Sequence, residues 1–179
     1  MSSASECDVN PQKRIFTTTE ALDKALAQYV ERALLGAVGS RGKASLVVSG
    51  GSTPRGFFKH LADKTLPWQS IDITLADERW VPVNHPDSNE RQLLALLPEQ
   101  ISDRFLSLRG EGEDALAQAA FLNRRLVNYP PFDIVILGMG IDGHTASLFP
   151  DAPQLSEGLD ITNPKACLVV DPPQAPHQR

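Results

Sequence analysis

The segment Phe132–Asp151, with the sequence FDIVILGMGIDGHTASLFPD, restricts the fold more than any other part of this 179-residue chain. Its apolar run Ile134–Leu137 is typical of a buried central strand, and it leads directly into the glycine-rich loop Gly138–Gly143. In an open α/β sheet, ligands bind at the carboxyl ends of the strands. We therefore predict a ligand site in this loop, where Asp142 and His144 supply groups capable of acid–base chemistry.

Apolar runs and helical periodicity alternate along the rest of the chain. Further strands are predicted at Lys13–Phe16 (a short edge strand), Ala44–Val48, Ile71–Leu75, Phe105–Leu108 and Ala166–Val170. Four helices are predicted. The first begins at the hydroxyls of Thr17–Thr19 and ends at Gly36 and Gly39, and the second has Thr53 as N-cap with Pro54 in its first turn and ends at about Ala62. The third runs from about Asp87–Glu90 to Leu97, and the fourth ends at Leu126. This alternation predicts an α/β fold, a mostly parallel sheet with helices on both faces.

Length and composition limit the class of protein. The chain length suggests one domain, residues 13–179, after a frayed or disordered polar tail, residues 1–12. A net charge of −5 without a basic run argues against a nucleic-acid partner, and no apolar run approaches the length of a membrane span. The polar N-terminus is unlike a signal peptide, and Cys7 and Cys167 form no metal or disulfide pattern. We therefore expect a reduced, cytoplasmic protein.

A second glycine turn, Ser49–Thr53, follows the strand Ala44–Val48 and precedes a helix. A strand, a glycine turn and a helix N-terminus together present free N–H groups to a phosphate, and Arg55 in the first helical turn adds positive charge. The turn is not a Walker loop, because it lacks the Gly-Lys-Ser/Thr ending. A plain tight turn between strand and helix explains the same residues equally well.

A third cluster, Asp77-Glu78-Arg79, follows the strand Ile71–Leu75. If the strands are parallel, these charges lie at the same edge of the sheet as the two glycine turns. Most clusters of this kind are solvated loop charges, so the pattern alone leaves their role open.

Four kinds of chemistry are compatible with the loop around His144. The spacing of Gly138, Gly140 and Gly143 matches a dinucleotide-binding loop, but Pro150 leaves too little helix to receive a pyrophosphate. A serine nucleophile, Ser147 or Ser49, lacks the G-x-S-x-G context, and a metal site of His144, Asp142 and Asp77 would be a thin ligand set. The fourth interpretation, which we favour, makes His144 a general base or acid held by Asp142, because imidazole titrates near neutral pH.

Three stretches of the chain together resemble the 6-phosphogluconolactonases of the glucosamine-6-phosphate isomerase/6-phosphogluconolactonase family. They are Val48–Pro54 (VSGGSTP), Ala76–Pro82 with Asp87–Asn89 (ADERWVP and DSN), and Leu137–Pro150 (LGMGIDGHTASLFP). The resemblance extends from about Ile15 to the C-terminus. It implies a modified doubly wound, Rossmann-like fold shared with glucosamine-6-phosphate deaminases. It also implies a hydrolase without metal or cofactor that opens 6-phospho-D-glucono-1,5-lactone to 6-phospho-D-gluconate in the pentose phosphate pathway.

The same resemblance implies roles for individual residues. His144 is expected to activate water, Asp142 to orient the imidazole or the sugar hydroxyls, and Asp77 and Arg79 to orient the lactone. The remaining expected substrate contacts, which hold phosphate or sugar, are Ser49, Gly50, Gly51, Ser52, Thr53, Arg55, Gly140, Gly143 and Arg179.

Two other functions remain open on the sequence. A deaminase-type sugar-phosphate isomerase shares the first turn and the Asp-Gly-His motif, but the deaminase pattern carries a Glu four or five residues after the His, where this chain has Leu148 and Phe149. A non-catalytic sugar-phosphate-binding domain is the other, because family members usually continue past the position of Arg179. We expect either a fragment or a shortened form, and a monomer or weak homo-oligomer.

Overall fold

The structure, a computed structural model, describes residues 11–112, 114–173 and 175–179. Cys7 and most of the expected N-terminal tail lie outside these ranges. The strands are β1 (Ala44–Val48), β2 (Ile71–Leu75), β3 (Phe105–Leu106) and β4 (Ile134–Ile136). The helices are α1 (Thr19–Arg41), α2 (Arg55–Ala62), α3 (Asn89–Leu94), α4 (Ala115–Leu126) and α5 (Leu155–Leu159), with 3₁₀ helices at Trp68–Ser70 and Glu99–Arg104.

All four strands form one parallel sheet in the order β3-β2-β1-β4. Leu46 at the centre of β1 lies beside Ile73 of β2 and Ile134 of β4. Every residue of β1 is buried, as expected for a strand covered on both faces. The predicted α/β fold, a doubly wound parallel sheet with helices, is confirmed.

Alternate residues of the strands point to opposite faces of the sheet. One face of the sheet contributes Leu46, Val48 and Ile73 to a core that α1 and α2 complete with large side chains. The fully buried members of that core from α1 and α2 are Ala27, Val30, Leu34, Phe57, Phe58 and Leu61. The opposite face, with Val47, Thr74 and Val135, borders a cleft whose far wall is α4.

Helix α1 is longer than predicted. Thr18 caps it, since its hydroxyl accepts the N–H of Ala21 at 3.1 Å, and Gly42 ends it with a φ of +74°. The prediction that Gly36 and Gly39 end the helix was wrong. Each interior glycine costs about 0.5–1 kcal/mol relative to alanine, but the helix continues because its next turns still pack on the core.

Three further predictions about elements were wrong. Ile134–Leu137 is not a buried central strand: β4 pairs only with β1 within the described residues, and Val135 is 50% exposed. Lys13–Phe16 and Ala166–Val170 form no strands, because the described chain pairs neither segment with the sheet. Within Ala166–Val170, the side-chain amide of Asn123 forms hydrogen bonds with the backbone N–H and the carbonyl of Cys167, at 2.8 and 2.9 Å.

At the end of the sheet opposite the glycine turns, the Tyr129 hydroxyl donates to Asp72 Oδ2 at 2.9 Å. Burial, and then this carboxylate, raise the pKa of Tyr129 to about 12.

Among the residues that the structure describes, no helix combines the length and apolar character needed to cross a membrane.

Candidate active site

The loops after β1, β2 and β4 meet at the carboxyl edge of the sheet. The Ser49 hydroxyl, directly after β1, donates to the carbonyl of Ile136 in β4 at 3.3 Å. The Ser147 hydroxyl, in the segment after β4, donates to Asp77 Oδ2 at 2.5 Å. These hydrogen bonds hold together three loops that are far apart in the sequence, at the edge where the parallel topology places a ligand site.

The first loop is shaped by its two glycines. Gly51 has a φ of +91°, a conformation that favours glycine. A Cβ on Gly50 would lie 2.2 Å from Asn89 Cγ, so only glycine lets the turn pass this buried side chain. Contrary to prediction, Thr53 does not cap α2: Pro54 occupies the N-cap, and no side chain accepts a hydrogen bond from the first turn.

The second loop is held by the buried carboxylate of Glu78. Its oxygens accept the backbone N–H groups of Arg79, Asn89 and Glu90 at 2.6, 2.8 and 2.8 Å. They also accept the Ser88 hydroxyl at 3.0 Å. The carboxylate thereby joins the loop to the first turn of α3, where a negative charge is favourable. It also fixes the backbone at the N–H of Arg79.

Asp77 and Arg79 flank Glu78 and carry the predicted substrate contacts of this loop. The Asp77 carbonyl accepts the Asn89 side-chain amide at 3.0 Å, so the backbone is fixed while the carboxylate faces Ser147. Arg79 Nη1 donates to the carbonyl of Asp87 at 2.6 Å, and its Nε is buried without a hydrogen-bond partner.

The third loop carries a paired imidazole and carboxylate. His144 Nδ1 lies 2.6 Å from Asp142 Oδ1, and the ring stacks on Phe149 with centroids 4.2 Å apart. The hydrogen bond from His144 holds the pKa of the Asp142 carboxyl below its ordinary value. Because an ionised carboxylate accepts only, Nδ1 carries a proton, and it is the neutral imidazole with this tautomer that has a lone pair on Nε2.

The glycines of this loop have structural tasks. The N–H of Gly140 donates to the His144 carbonyl at 2.8 Å, and that of Gly143 to the Gly140 carbonyl at 3.0 Å. A Cβ on Gly140 would lie 2.3 Å from the His144 ring, and Gly143 has a φ of +86°. Both N–H groups are therefore used within the turn, which brings the Asp142–His144 pair together.

Arg179 reaches the same edge from the end of the chain. Its backbone pairs with Val170 through two hydrogen bonds of 2.9 and 3.0 Å, and its Nε and Nη1 are buried without partners. Burial lowers the pKa of the Arg179 guanidinium, and the neighbouring Arg79 charge lowers it further. Two guanidinium groups with free buried donors favour an anionic ligand between them.

An open cleft of about 420 Å³ extends from this edge along β4 and α4. Of the predicted site residues, Asp77 and Arg179 line it, together with Ser147. His144, Asp142, the Ser49–Thr53 turn and Arg55 lie outside its walls, and the side chains of Ser52, Thr53 and Arg55 are exposed. Because the cleft is mainly apolar, we expect the groups that act on a ligand to lie at its rim, where the three loops meet.

Sequence reasoning missed the network behind the site. Ser147 entered the sequence analysis only as a weak nucleophile, whereas the structure makes it a partner of Asp77. Glu78 entered as a loop charge and as part of a family motif, and Asn89 entered through the predicted helix start and the family resemblance; neither was given a role of its own. The order Ser88-Asn89-Glu90 is a helix-start signal that could have indicated an acceptor for the first turn of α3.

The fold and the site define a class: an α/β enzyme with a histidine–carboxylate pair, and with arginines whose buried donors lack partners, at the carboxyl edge of a parallel sheet. Comparison with known proteins narrows this class. Residues 17–179 match the model of the glucosamine-6-phosphate isomerase/6-phosphogluconolactonase family, and the chain belongs to that family.

Several similar proteins are named 6-phosphogluconolactonase. A 6-phosphogluconolactonase of Pseudomonas putida is 42% identical over 162 residues, covering 89% of this chain and 67% of that protein. Another, of Rhizobium meliloti, is 43% identical over 160 residues, covering 88% and 69%. The crystal structure of a 6-phosphogluconolactonase from Shewanella baltica superimposes with a TM-score of 0.81 at 43% identity, covering 91% of this chain and 70% of that one.

The fold is shared more widely. A monomeric glucosamine-6-phosphate deaminase superimposes with a TM-score of 0.67 at 22% identity, which is a likeness of fold. This chain spans about two thirds of the length of its curated relatives.

Proposed function

We propose that this protein hydrolyses 6-phospho-D-glucono-1,5-lactone to 6-phospho-D-gluconate, the second step of the oxidative pentose phosphate pathway. The observation that carries the proposal is the Asp142–His144 pair, at 2.6 Å, in the loop after β4 of a chain that belongs to this family. Relatives more than 40% identical are named for this activity.

In the proposed reaction, His144 is the general base. With Nδ1–H donated to Asp142, Nε2 takes a proton from water as the water oxygen attacks the lactone carbonyl carbon. The tetrahedral intermediate collapses by breaking the bond between that carbon and the ring oxygen. The ring oxygen receives the proton held on His144, and the product is the open-chain acid. Asp142 stabilises the imidazolium formed between the two steps.

The arginines provide the proposed electrostatic component. Arg79 and Arg179 have buried donors without partners, and such preorganised donors stabilise developing negative charge. Asp77, held by Ser147, accepts the hydroxyls of the substrate and so orients it. The N–H groups of Gly140 and Gly143 are used within their turn, so in this proposal these glycines shape the loop.

The phosphate is proposed to bind at the turn Ser49–Thr53 and Arg55. The first turn of α2 has no side-chain cap, and its N–H groups other than that of Arg55, which donates to the Ser52 carbonyl at 3.4 Å, are proposed to receive an anion at the positive end of the helix dipole. The exposed guanidinium of Arg55 is placed in the same helical turn. We further propose that the enzyme acts in the cytoplasm as a monomer or weak homo-oligomer.

The proposed route needs no metal and no cofactor. The imidazole supplies the base, and the guanidinium groups supply the positive charge that a Lewis acid provides in other hydrolases. The rival isomerase chemistry needs an additional acid near the histidine. The apolar Phe149 ring instead covers His144, at a position where the deaminase pattern places its Glu.

The test is the rate at which purified protein forms 6-phosphogluconate from freshly generated lactone, compared with the spontaneous rate. We expect acceleration with the lactone and no release of ammonia from glucosamine-6-phosphate. Ammonia release would support the isomerase alternative. A thermal shift with 6-phosphogluconate without turnover would support the non-catalytic binding alternative.

A further inference from the structure

Two histidines and an aspartate converge beside the loop after β2, outside the site described above. His177 Nε2 lies 2.9 Å from Asp87 Oδ2, and His85 Nδ1 lies 3.9 Å from the same oxygen. All three ligand atoms lie within 4.8 Å of one another. Within the described ranges, this is the one group of three or more histidine, cysteine or acidic side chains with ligand atoms so close together.

The donor set has a definite preference among cations. Two imidazole nitrogens and one carboxylate oxygen suit Zn²⁺ and its neighbours in the first transition row, whereas Mg²⁺ and Ca²⁺ require mainly oxygen ligands. Tetrahedral ligands bound to zinc at about 2.0–2.2 Å lie about 3.4 Å apart. The observed separations differ from this value by about 1.4 Å or less, which side-chain rotation can close.

The orientation of the rings also fits a shared ligand. The His85 and His177 rings meet edge to face, at 79°, with centroids 5.5 Å apart. The N–H of Asp87 donates to His85 Nδ1 at 3.1 Å, so this nitrogen is unprotonated, and a cation that binds it takes the place of that hydrogen bond. With three protein ligands, a fourth tetrahedral position remains for water.

We propose that His85, Asp87 and His177 form a binding site for a zinc-class divalent cation, which fastens residues 175–179 to the loop after β2. The two segments are already joined by one backbone hydrogen bond, from the N–H of Trp80 to the carbonyl of Gln178 at 2.7 Å. The side chains of His177 and Asp87 form a second contact between these segments, at 2.9 Å, and a cation bound to both and to His85 replaces that contact with metal–ligand bonds.

The cation site bears on both arginines of the candidate active site. Arg179 lies two residues after His177. Arg79 Nη1 donates to the carbonyl of Asp87 at 2.6 Å. A bound cation therefore limits the motion of both guanidinium groups. It acts as a structural clamp, separate from the Asp142–His144 pair, and its existence does not depend on the proposed lactonase activity.

The test is titration of the full chain, freed of metal, with Zn²⁺ alone, followed by calorimetry and thermal unfolding. Co²⁺ serves as a second probe, because its visible absorption reports tetrahedral coordination by nitrogen. We expect one equivalent to bind, and a hundredfold excess over Kd to raise Tm by about 5–10 °C. His85→Gln and His177→Gln should each weaken binding at least tenfold.

Two controls locate the cation. His60→Gln removes another histidine that is hydrogen-bonded to a carboxylate, Glu20, and should leave binding unchanged. His144→Gln should also leave binding unchanged, whereas loss of binding there would place the cation at the glycine loop and overturn the proposal. The proposal also fails if the unmodified chain takes up no Zn²⁺, or if His85→Gln and His177→Gln bind it as tightly as the unmodified chain.

Discussion

Replacing Glu78 by glutamine tests how strongly one buried carboxylate holds the site together. In the structure, Oε1 accepts the N–H groups of Arg79 and Asn89, and Oε2 accepts the N–H of Glu90 and the hydroxyl of Ser88. Glutamine preserves one oxygen and the volume, but it turns the other oxygen into an NH₂ group. That NH₂ group faces the N–H of Glu90. Both groups are donors, so the N–H of Glu90 loses its acceptor.

The cost can be estimated from these four bonds. A buried donor left without a partner costs about 1–3 kcal/mol, and the bonds that remain lose the strengthening due to a charged acceptor. The favourable interaction of the carboxylate with the first turn of α3 is lost as well. We expect the free energy of unfolding to fall by about 2–4 kcal/mol, which corresponds to a Tm lower by roughly 5–15 °C.

The assay is urea unfolding of wild type and Glu78→Gln, with lactone hydrolysis measured on the folded fraction. Glu90→Gln is the matched control, because burial raises the pKa of the Glu90 carboxyl and its Oε2 accepts the hydroxyl of Ser107 at 2.5 Å. That control should change stability by less than about 1 kcal/mol, since a glutamine oxygen also accepts a hydroxyl. Equal stabilities for the Glu78→Gln and Glu90→Gln variants would refute the reasoning.

Four further substitutions test other parts of the structure. Gly50→Ala should lower stability by about 1–3 kcal/mol and reduce activity, because the new methyl group collides with Asn89, whereas Gly36→Ala, with open space around it, should raise stability by about 0.5–1 kcal/mol in the same urea assay. Tyr129 keeps its proton in the folded state up to a pKa of about 12 but loses it near 10 when unfolded, so stability should fall between these pH values, and Tyr129→Phe should abolish that fall in denaturation curves. Ser147→Ala should retain measurable kcat in the lactone assay, because Ser147 supports a carboxylate; complete loss of turnover would indicate a nucleophilic serine.

Much of the fold was predictable because its signals are local. β1 and β2 were predicted with the bounds that the structure shows, since each is a short apolar run bordered by loop residues. The same signal failed for β4, because an apolar run does not report whether a neighbouring strand is present on both sides. Gly36 and Gly39 misled the prediction of α1, since tertiary packing outweighs the low helix propensity of glycine.

In the candidate site too, contacts between residues close in the sequence could be predicted, and contacts between distant residues could not. Asp142 and His144 are two residues apart, so their pairing could be inferred from the motif. The partners Asp77 and Ser147 are 70 positions apart, and only the topology of the sheet brings them together. Three of the four hydrogen bonds of Glu78 go to residues 88–90, so they depend on where α3 begins relative to β2, a distance in space that no local pattern specifies.

The most direct test of the central claim compares lactone hydrolysis by wild type and His144→Ala at equal folded concentration, above the spontaneous rate. Loss of a general base should lower kcat by about 10²–10⁴-fold, with Tm changed by only a few degrees because the ring is partly exposed. His60→Ala is the control. It removes a histidine of α2 that is hydrogen-bonded to Glu20 of α1, and it should leave kcat unchanged. A His144→Ala variant that retains kcat within about tenfold of wild type would contradict the account.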